Sequence, residues 1–357
     1  MKKNNIKSVN LLYLLDVVFI VIGFTLLVTL LGLLCLPFKS LGIEYEEVTH
    51  QFIEMVNNNQ ILAMIISQLL IFAPAVVFFF KKKEFVKGII RFNAMDLKTI
   101  LWLIVLTYAL MPVMTFINML SMLFVENKIS NTIDKLVNDN SIVVAIICVA
   151  MLPAFVEEFL CRGIIYNTHA KVNVKKAIII NGILFGLLHC NFNQFAYAFF
   201  MGMVFAMVVE VTNTTLSTML MHFIVNCNSI VIAYISILTG EQISFEEEVE
   251  YTLPQVMSWG VFAAFSLIIA VLVYKKIAIH NKRWDYINKE LFFNKKNSSL
   301  AVKKEDSIYI EEKMEEKDLD IQNNVSKDEK YKFEIYDIHL TVATIVCVIY
   351  MIITEVM

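Results

Sequence analysis

The feature that most constrains this chain is a series of apolar runs, most of them about 18 residues or longer and nearly free of charge. A helix needs about 20 such residues to cross the ~30 Å hydrocarbon layer of a bilayer. Lipid offers no water to unpaired backbone N–H and C=O groups, so only helices and closed barrels can span it. The alternating ~10-residue segments of a membrane barrel are absent. The runs predict spans at residues 11–38, 60–80, 99–125, 141–166, 177–190, 195–211, 215–239, 256–274 and 338–354, the fifth and last being short. The expected fold is therefore an all-α, polytopic transmembrane helical bundle of about 8–9 spans. A hydrophobic content of 58% agrees, since soluble domains carry about 45–50%.

In such a chain the position of charge matters more than the net value of −3. Cytoplasmic loops are enriched in Lys and Arg. Lys2, Lys3 and Lys7 precede the first span; Lys81, Lys82, Lys83, Lys87, Arg91 and Lys98 separate the second and third; Lys171, Lys175 and Lys176 separate the fourth and fifth. The intervening segments 39–58, 126–140 and 240–255 carry more acid, including Glu44, Glu46, Glu47, Glu54, Glu246, Glu247, Glu248 and Glu250. This alternation places the N-terminus in the cytoplasm. The first run is too long for a signal peptide and lacks an A-x-A site, so it reads as a retained span. The expected organisation is N-terminal spans over 1–140, a helical core over 141–240, a further span over 241–275, a charged cytoplasmic tail over 276–337 and a short C-terminal span over 338–357. The tail, beginning after Lys275, mixes Lys, Glu, Asp and Asn with little apolar periodicity, and is expected to be mobile and to build no site.

Polar residues inside the spans carry the chemistry. The fourth span reads Pro153-Ala154-Phe155-Val156-Glu157-Glu158-Phe159-Leu160-Cys161-Arg162. A central charge costs roughly 2.5–3.5 kcal/mol on insertion scales, so ionisable residues here default to function. Glu158 and Arg162 stand four apart and can pair on one face. Glu157, rotated about 100°, is left free to act as a general base. Pro153 frees the carbonyl of Val149 and invites a kink. The competing reading is that these charges mark the end of the span and snorkel into headgroups.

The fifth span contains Phe185-Gly186-Leu187-Leu188-His189, and the seventh contains His222-Phe223-Ile224-Val225-Asn226. A lone membrane histidine is more often a helix–helix hydrogen bond than a catalytic group. Here there are two, and His222 and Asn226 share a face. At ~1.5 Å per residue from the cytoplasmic ends, Glu157 lies roughly 13 Å deep, His189 roughly 18 Å and His222 roughly 9 Å. Antiparallel helices can bring all three to one level. Glutamate and two histidines also suit a catalytic zinc ion with an open position for water. H-E-x-x-H is absent, so Glu157, His189 and His222 would have to converge on a divalent metal from three helices. Metal-dependent and glutamate-dependent mechanisms both stay open, and no other cofactor is expected.

In this order, Glu157-Glu158-x-x-x-Arg162, Phe185-x-x-x-His189 and His222-x-x-x-Asn226 resemble the motifs of the CAAX protease and bacteriocin-processing (CPBP, or Abi) family of intramembrane endopeptidases. The resemblance covers roughly residues 141–235. It implies that Glu157 activates water alongside His189, that His222 and Asn226 stabilise the oxyanion, and that Glu158 and Arg162 support them. The implied partners are membrane lipid and a peptide or lipidated protein substrate, with no nucleic acid.

Other chemistries find less support. No serine sits in a G-x-S-x-G elbow. The six cysteines lack CxxC spacing, and Cys161, Cys190 and Cys227 point away from their motif neighbours. A transporter or proton relay would predict repeated halves and paired broken helices, which are not seen. A non-catalytic scaffold or bacteriocin-immunity protein is the remaining alternative. A composition heavy in Lys, Ile and Asn suggests an AT-rich bacterial genome, hence a bacterial cell membrane and a peptide rather than a prenylated substrate.

Overall fold

The computed structural model describes residues 3–37, 44–125, 136–239, 251–292 and 335–356. Its helices are α1 (Lys3–Cys35), α2 (Tyr45–Asn57), α3 (Gln60–Lys81), α4 (Lys83–Ile89), α5 (Leu97–Met122), α6 (Ile142–Ala170), α7 (Val174–Leu188), α8 (Phe192–Thr212), α9 (Leu216–Thr239), α10 (Leu253–His280), α11 (Trp284–Ile287, continued by one π turn) and α12 (Ile338–Val356). No strand occurs among the described residues. Eight of these helices are long and apolar enough to cross a membrane, and the protein is an integral membrane helical bundle. The ninth predicted span is α7, whose 15 residues reach only about 22 Å. It falls short of the ~30 Å hydrocarbon thickness.

The short helix forms a hairpin with α8, and its sequence explains the fit. Gly182 and Gly186 form a G-x-x-x-G ridge facing α8, Gly182 against Gly202 and Gly186 against Phe195. A Cβ on Gly202 would lie 2.7 Å from the Gly182 Cα, and one on Gly186 would lie 3.0 Å from the Phe195 carbonyl oxygen. Small residues are thus required for the two backbones to approach this closely. The turn between the helices passes through Cys190, which takes a positive φ of 48°, a conformation an L-residue adopts only under local constraint. Asn191 then caps α8 by accepting from Gln194 N–H at 2.9 Å.

Around this hairpin, α1 packs on α3 and α12, α5 on α10, and α9 and α3 on α6. The lysine-rich ends meet at one face of the bundle. There Thr215 N–H donates to the Arg91 carbonyl at 2.7 Å, and Lys171 Nζ to the Gly88 carbonyl at 3.1 Å. Asn10 joins α1 to the same end, pairing with His169 Nε2 at 2.8 Å and donating to the Ile335 carbonyl at 2.8 Å. The expectation is that the chain leaves the bundle after Lys275. α10 continues to His280 and α11 packs back on α8, while residues 293–334 of the predicted tail lie outside the described residues.

Asp96 sits at the same face, where it caps α5 by accepting from Thr99 N–H at 2.6 Å and pairs with His280 Nε2 at 2.7 Å. The backbone hydrogen bond first, and His280 second, lower its carboxyl from 3.8 to about 2. A lowered carboxyl stabilises the fold above its unfolded value and loses that contribution as pH falls through the folded one. The wild type should therefore lose thermal stability between about pH 4 and pH 2 more steeply than Asp96→Asn, as read from melting curves in detergent. Parallel curves for the two proteins would exclude the linkage.

Candidate functional site

Helix α6 carries the site because its backbone departs from regular α geometry on both sides of the paired carboxylates. Residues Ile146–Met151 and Phe159–Tyr166 form π turns, with Leu152–Glu158 between them. Wide turns of this kind displace side chains from the α register and recur at functional sites. Pro153 lacks the N–H that Val149 would otherwise receive. That carbonyl accepts instead from Asn226 Nδ2 at 3.1 Å, so the predicted freed oxygen is the point where α9 is fastened to α6. One N–H of Asn226 is committed by this bond and the other remains to the site.

Glu158 and Arg162 are both fully buried. Arg162 Nη1 donates to Glu158 Oε1 at 2.7 Å, and the guanidinium lies 4.0 Å from the Phe185 ring centroid and 5.0 Å from that of Phe205. Its Nη2 donates to the Gly202 carbonyl at 3.4 Å, the same residue whose missing Cβ lets α7 and α8 close. A planar cation between two aromatic faces is held by geometry that a lysine would not reproduce. The predicted pair is therefore present, and it also locks the hairpin.

His222 Nδ1 meets the same Glu158 oxygen at 3.0 Å. A carboxylate only accepts, so Nδ1 carries the proton and Nε2 is the atom presented outward. His189 Nδ1 lies 2.9 Å from the Phe185 carbonyl, which fixes its tautomer in the same way. The Phe185 ring stands edge-on to both imidazoles, at 5.1 Å from His189 and 6.0 Å from His222. Phe185 thus touches both histidines and the guanidinium.

Glu157 points away from Glu158 and is only partly buried. It lies within electrostatic reach of His189, and its Oε1 accepts from Gln68 Nε2 of α3 at 3.2 Å. All six predicted residues thus gather where α3, α6, α7 and α9 meet. Glu158 and His222 make up the buried half, and Glu157 and His189 are only partly buried.

The fit of a metal can be judged from the side chains. Among the described residues no three His, Cys, Asp or Glu side chains are placed to share an ion. Both Nε2 atoms are oriented as ligands would be, but Glu157, His189 and His222 do not close into a three-ligand set. The arrangement does not fit a bound metal, and no step below is routed through one.

Reading the sequence alone overlooked several participants. Gln68 is a lone amide in an apolar span, and that isolation was its signal. The arginines offered another, for the chain has only Arg91, Arg162 and Arg283. The two besides Arg162 both serve Glu210, a fully buried carboxylate near the end of α8. Arg91 Nη1 donates to Glu210 Oε1 at 2.8 Å, Tyr166 Oη to the same oxygen at 3.0 Å and Tyr286 Oη to Oε2 at 2.9 Å. Arg283 Nε donates to the Glu210 carbonyl at 2.6 Å. Burial and the adjacent carboxylate push the Tyr286 phenol up to about 12.

The comparisons with known proteins agree with this arrangement. No curated protein and no solved structure matches the chain. A family model described as type II CAAX prenyl endopeptidase Rce1-like matches residues 139–228, the segment that holds α6 to α8, the first half of α9 and all six predicted site residues. Over that segment, about a quarter of the chain, the protein is similar to the Rce1-like type II CAAX prenyl endopeptidase family.

Proposed function

We propose that the protein is an intramembrane endopeptidase that hydrolyses a peptide bond in a membrane-associated or lipidated peptide, and that Glu157 is its general base. The observation that carries this reading is the division of labour between adjacent carboxylates. Glu158 is fully buried, with Oε1 held by both Arg162 and His222, whereas Glu157 is only partly buried and stands near His189. Amide hydrolysis needs a base at the water, donors where the tetrahedral oxygen gathers charge, and an acid for the departing amine. Glu157 takes the proton from water. His222, with Nδ1–H on Glu158, offers Nε2–H to the oxyanion when its ring carries both protons, and the remaining N–H of Asn226 is the second donor. His189, held by the Phe185 carbonyl, stands beside Glu157 and borders the place where the water is received. The proton held by Glu157 passes to the leaving nitrogen as the C–N bond breaks. Orientation with the N-terminus and the lysine-rich face in the cytoplasm follows from the distribution of Lys.

The test is peptide release from internally quenched peptides, with and without a farnesylated cysteine, by the full chain in lipid nanodiscs. Wild type should cleave, and Glu157→Ala should fall by at least about 10³-fold while remaining folded. Chelator should leave the rate unchanged. Equal rates in wild type and Glu157→Ala would overturn the reading, and chelator sensitivity restored by zinc would replace its metal-free form.

A further inference from the structure

One side chain from outside the matched segment reaches the base. Gln68 belongs to α3, which packs against the middle of α6, and its amide N–H holds Glu157 Oε1 at 3.2 Å. The direction of the amide is fixed by chemistry, because the opposite orientation would set its oxygen against a carboxylate oxygen. Gln68 is 8% exposed, and its own Oε1 is buried with no hydrogen-bond partner. An orphaned buried carbonyl costs about 1–3 kcal/mol, a cost a leucine would avoid while filling similar space. Retaining an amide beside the reacting carboxylate at that cost has a chemical reason.

We propose that Gln68 is a positioning residue for the hydrolytic water. This rests on the peptidase reading above. A water bound only to a general base keeps rotational freedom about that one hydrogen bond. The attacking oxygen is aimed when both of its O–H groups are engaged, one by Glu157 and the other by the Gln68 carbonyl. The same amide keeps Glu157 in place through its N–H. In the step, Glu157 accepts one proton as the water oxygen bonds to the scissile carbonyl carbon. The C–N bond then breaks, the nitrogen leaves with the proton from Glu157, and the new acid retains the second hydrogen that Gln68 had held. The amide is neither protonated nor consumed.

A role in aiming water acts on the chemical step and leaves substrate binding alone. With the farnesyl-cysteine quenched peptide and the full chain in nanodiscs, Gln68→Leu should lower kcat about 10- to 100-fold with KM within about threefold of wild type. Gln68→Met, closer in shape, should do the same, and Gln68→Asn should retain part of the rate. The Leu and Met variants, freed of the unpaired carbonyl, should melt at or above the wild-type temperature. A kcat for Gln68→Leu within about threefold of wild type, or a loss confined to KM, overturns the proposal. So does loss of activity that tracks loss of folded protein in both the Leu and Met variants. Those outcomes leave the peptidase reading intact provided Glu157→Ala is inactive. Absence of cleavage by wild type, or undiminished cleavage by Glu157→Ala, overturns both.

Discussion

Replacing Arg162 with methionine should cost about 3–5 kcal/mol of stability and abolish peptide hydrolysis. The first part follows from where the charge is left. Glu158 is fully buried and its Oε1 has Arg162 as its only permanent cation. An uncompensated carboxylate in that position loses far more than the pair is worth, because no water can replace the guanidinium. Total stabilities of about 5–15 kcal/mol put about a fifth or more of the folded state at stake. The vacated space between Phe185 and Phe205 also unpins Gly202, so the α7–α8 hairpin loosens with it. Activity should vanish for a separate reason, since a Glu158 that has lost Arg162 is no longer held where it accepts from His222 Nδ1–H. A double variant, Arg162→Met with Glu158→Leu, removes both charges. It should recover most of the stability without any recovery of turnover, because His222 then has no acceptor for Nδ1–H. Melting curves in detergent alongside the quenched-peptide assay separate the two effects. A single variant as stable as wild type would show that Glu158 finds another partner.

Glu210→Leu should have the second largest effect, about 1–3 kcal/mol, and should act at the lysine-rich face without touching the chemistry. The lower figure reflects exposure. Arg91 and Arg283 keep 21% and 25% of their side-chain surface in solvent, so both can turn to water when the carboxylate is gone. Tyr166 cannot, being fully buried, and its stranded hydroxyl carries most of the expected loss. Because Glu210 ties α8 to α11 through Arg283 and Tyr286, limited proteolysis should show faster cutting near residues 283–292 in the variant. Removing the carboxylate should also bring the Tyr286 phenol down from about 12, measurable by ultraviolet titration. Unchanged proteolysis would mean that α11 is held by packing alone.

The bundle was legible in the sequence because lipid imposes one rule on every span, and all nine predicted runs coincide with helices. The boundaries failed where polar or aromatic residues continue a helix past its apolar stretch, as at the end of α10, where Lys275 stacks near Trp284 and Lys276 near Trp102. Charge was taken there as a sign of departure from the bundle, whereas the long stems of those lysines lie against indole rings. Within the site, the Glu158–Arg162 pair could be read from spacing because both residues lie on one helix. The link from His222 to the same oxygen could not, since it depends on how α9 crosses α6. Asn226 is instructive in the same way. Its pairing with the carbonyl that Pro153 frees joins two features that were both visible, on helices whose contact was not. Gln68 and Glu210 were overlooked because their partners lie at least 44 positions away, beyond the reach of any local pattern.

The commitment of all three arginines to buried glutamates has a consequence for the outside of the molecule. With the guanidinium groups occupied at Glu158 and Glu210, the exposed positive charge of the described chain consists of lysine amines, among them Lys81, Lys82, Lys83, Lys175 and Lys176. Primary amines titrate, acylate and exchange lipid headgroups as point charges, without the bidentate grip a guanidinium has on phosphate. The bundle thus separates its two kinds of cation by task. Rigid, directional guanidinium groups fix the interior, and a layer of chemically modifiable amines meets the membrane surface, so acylating reagents can erase that surface charge while the interior networks stay intact.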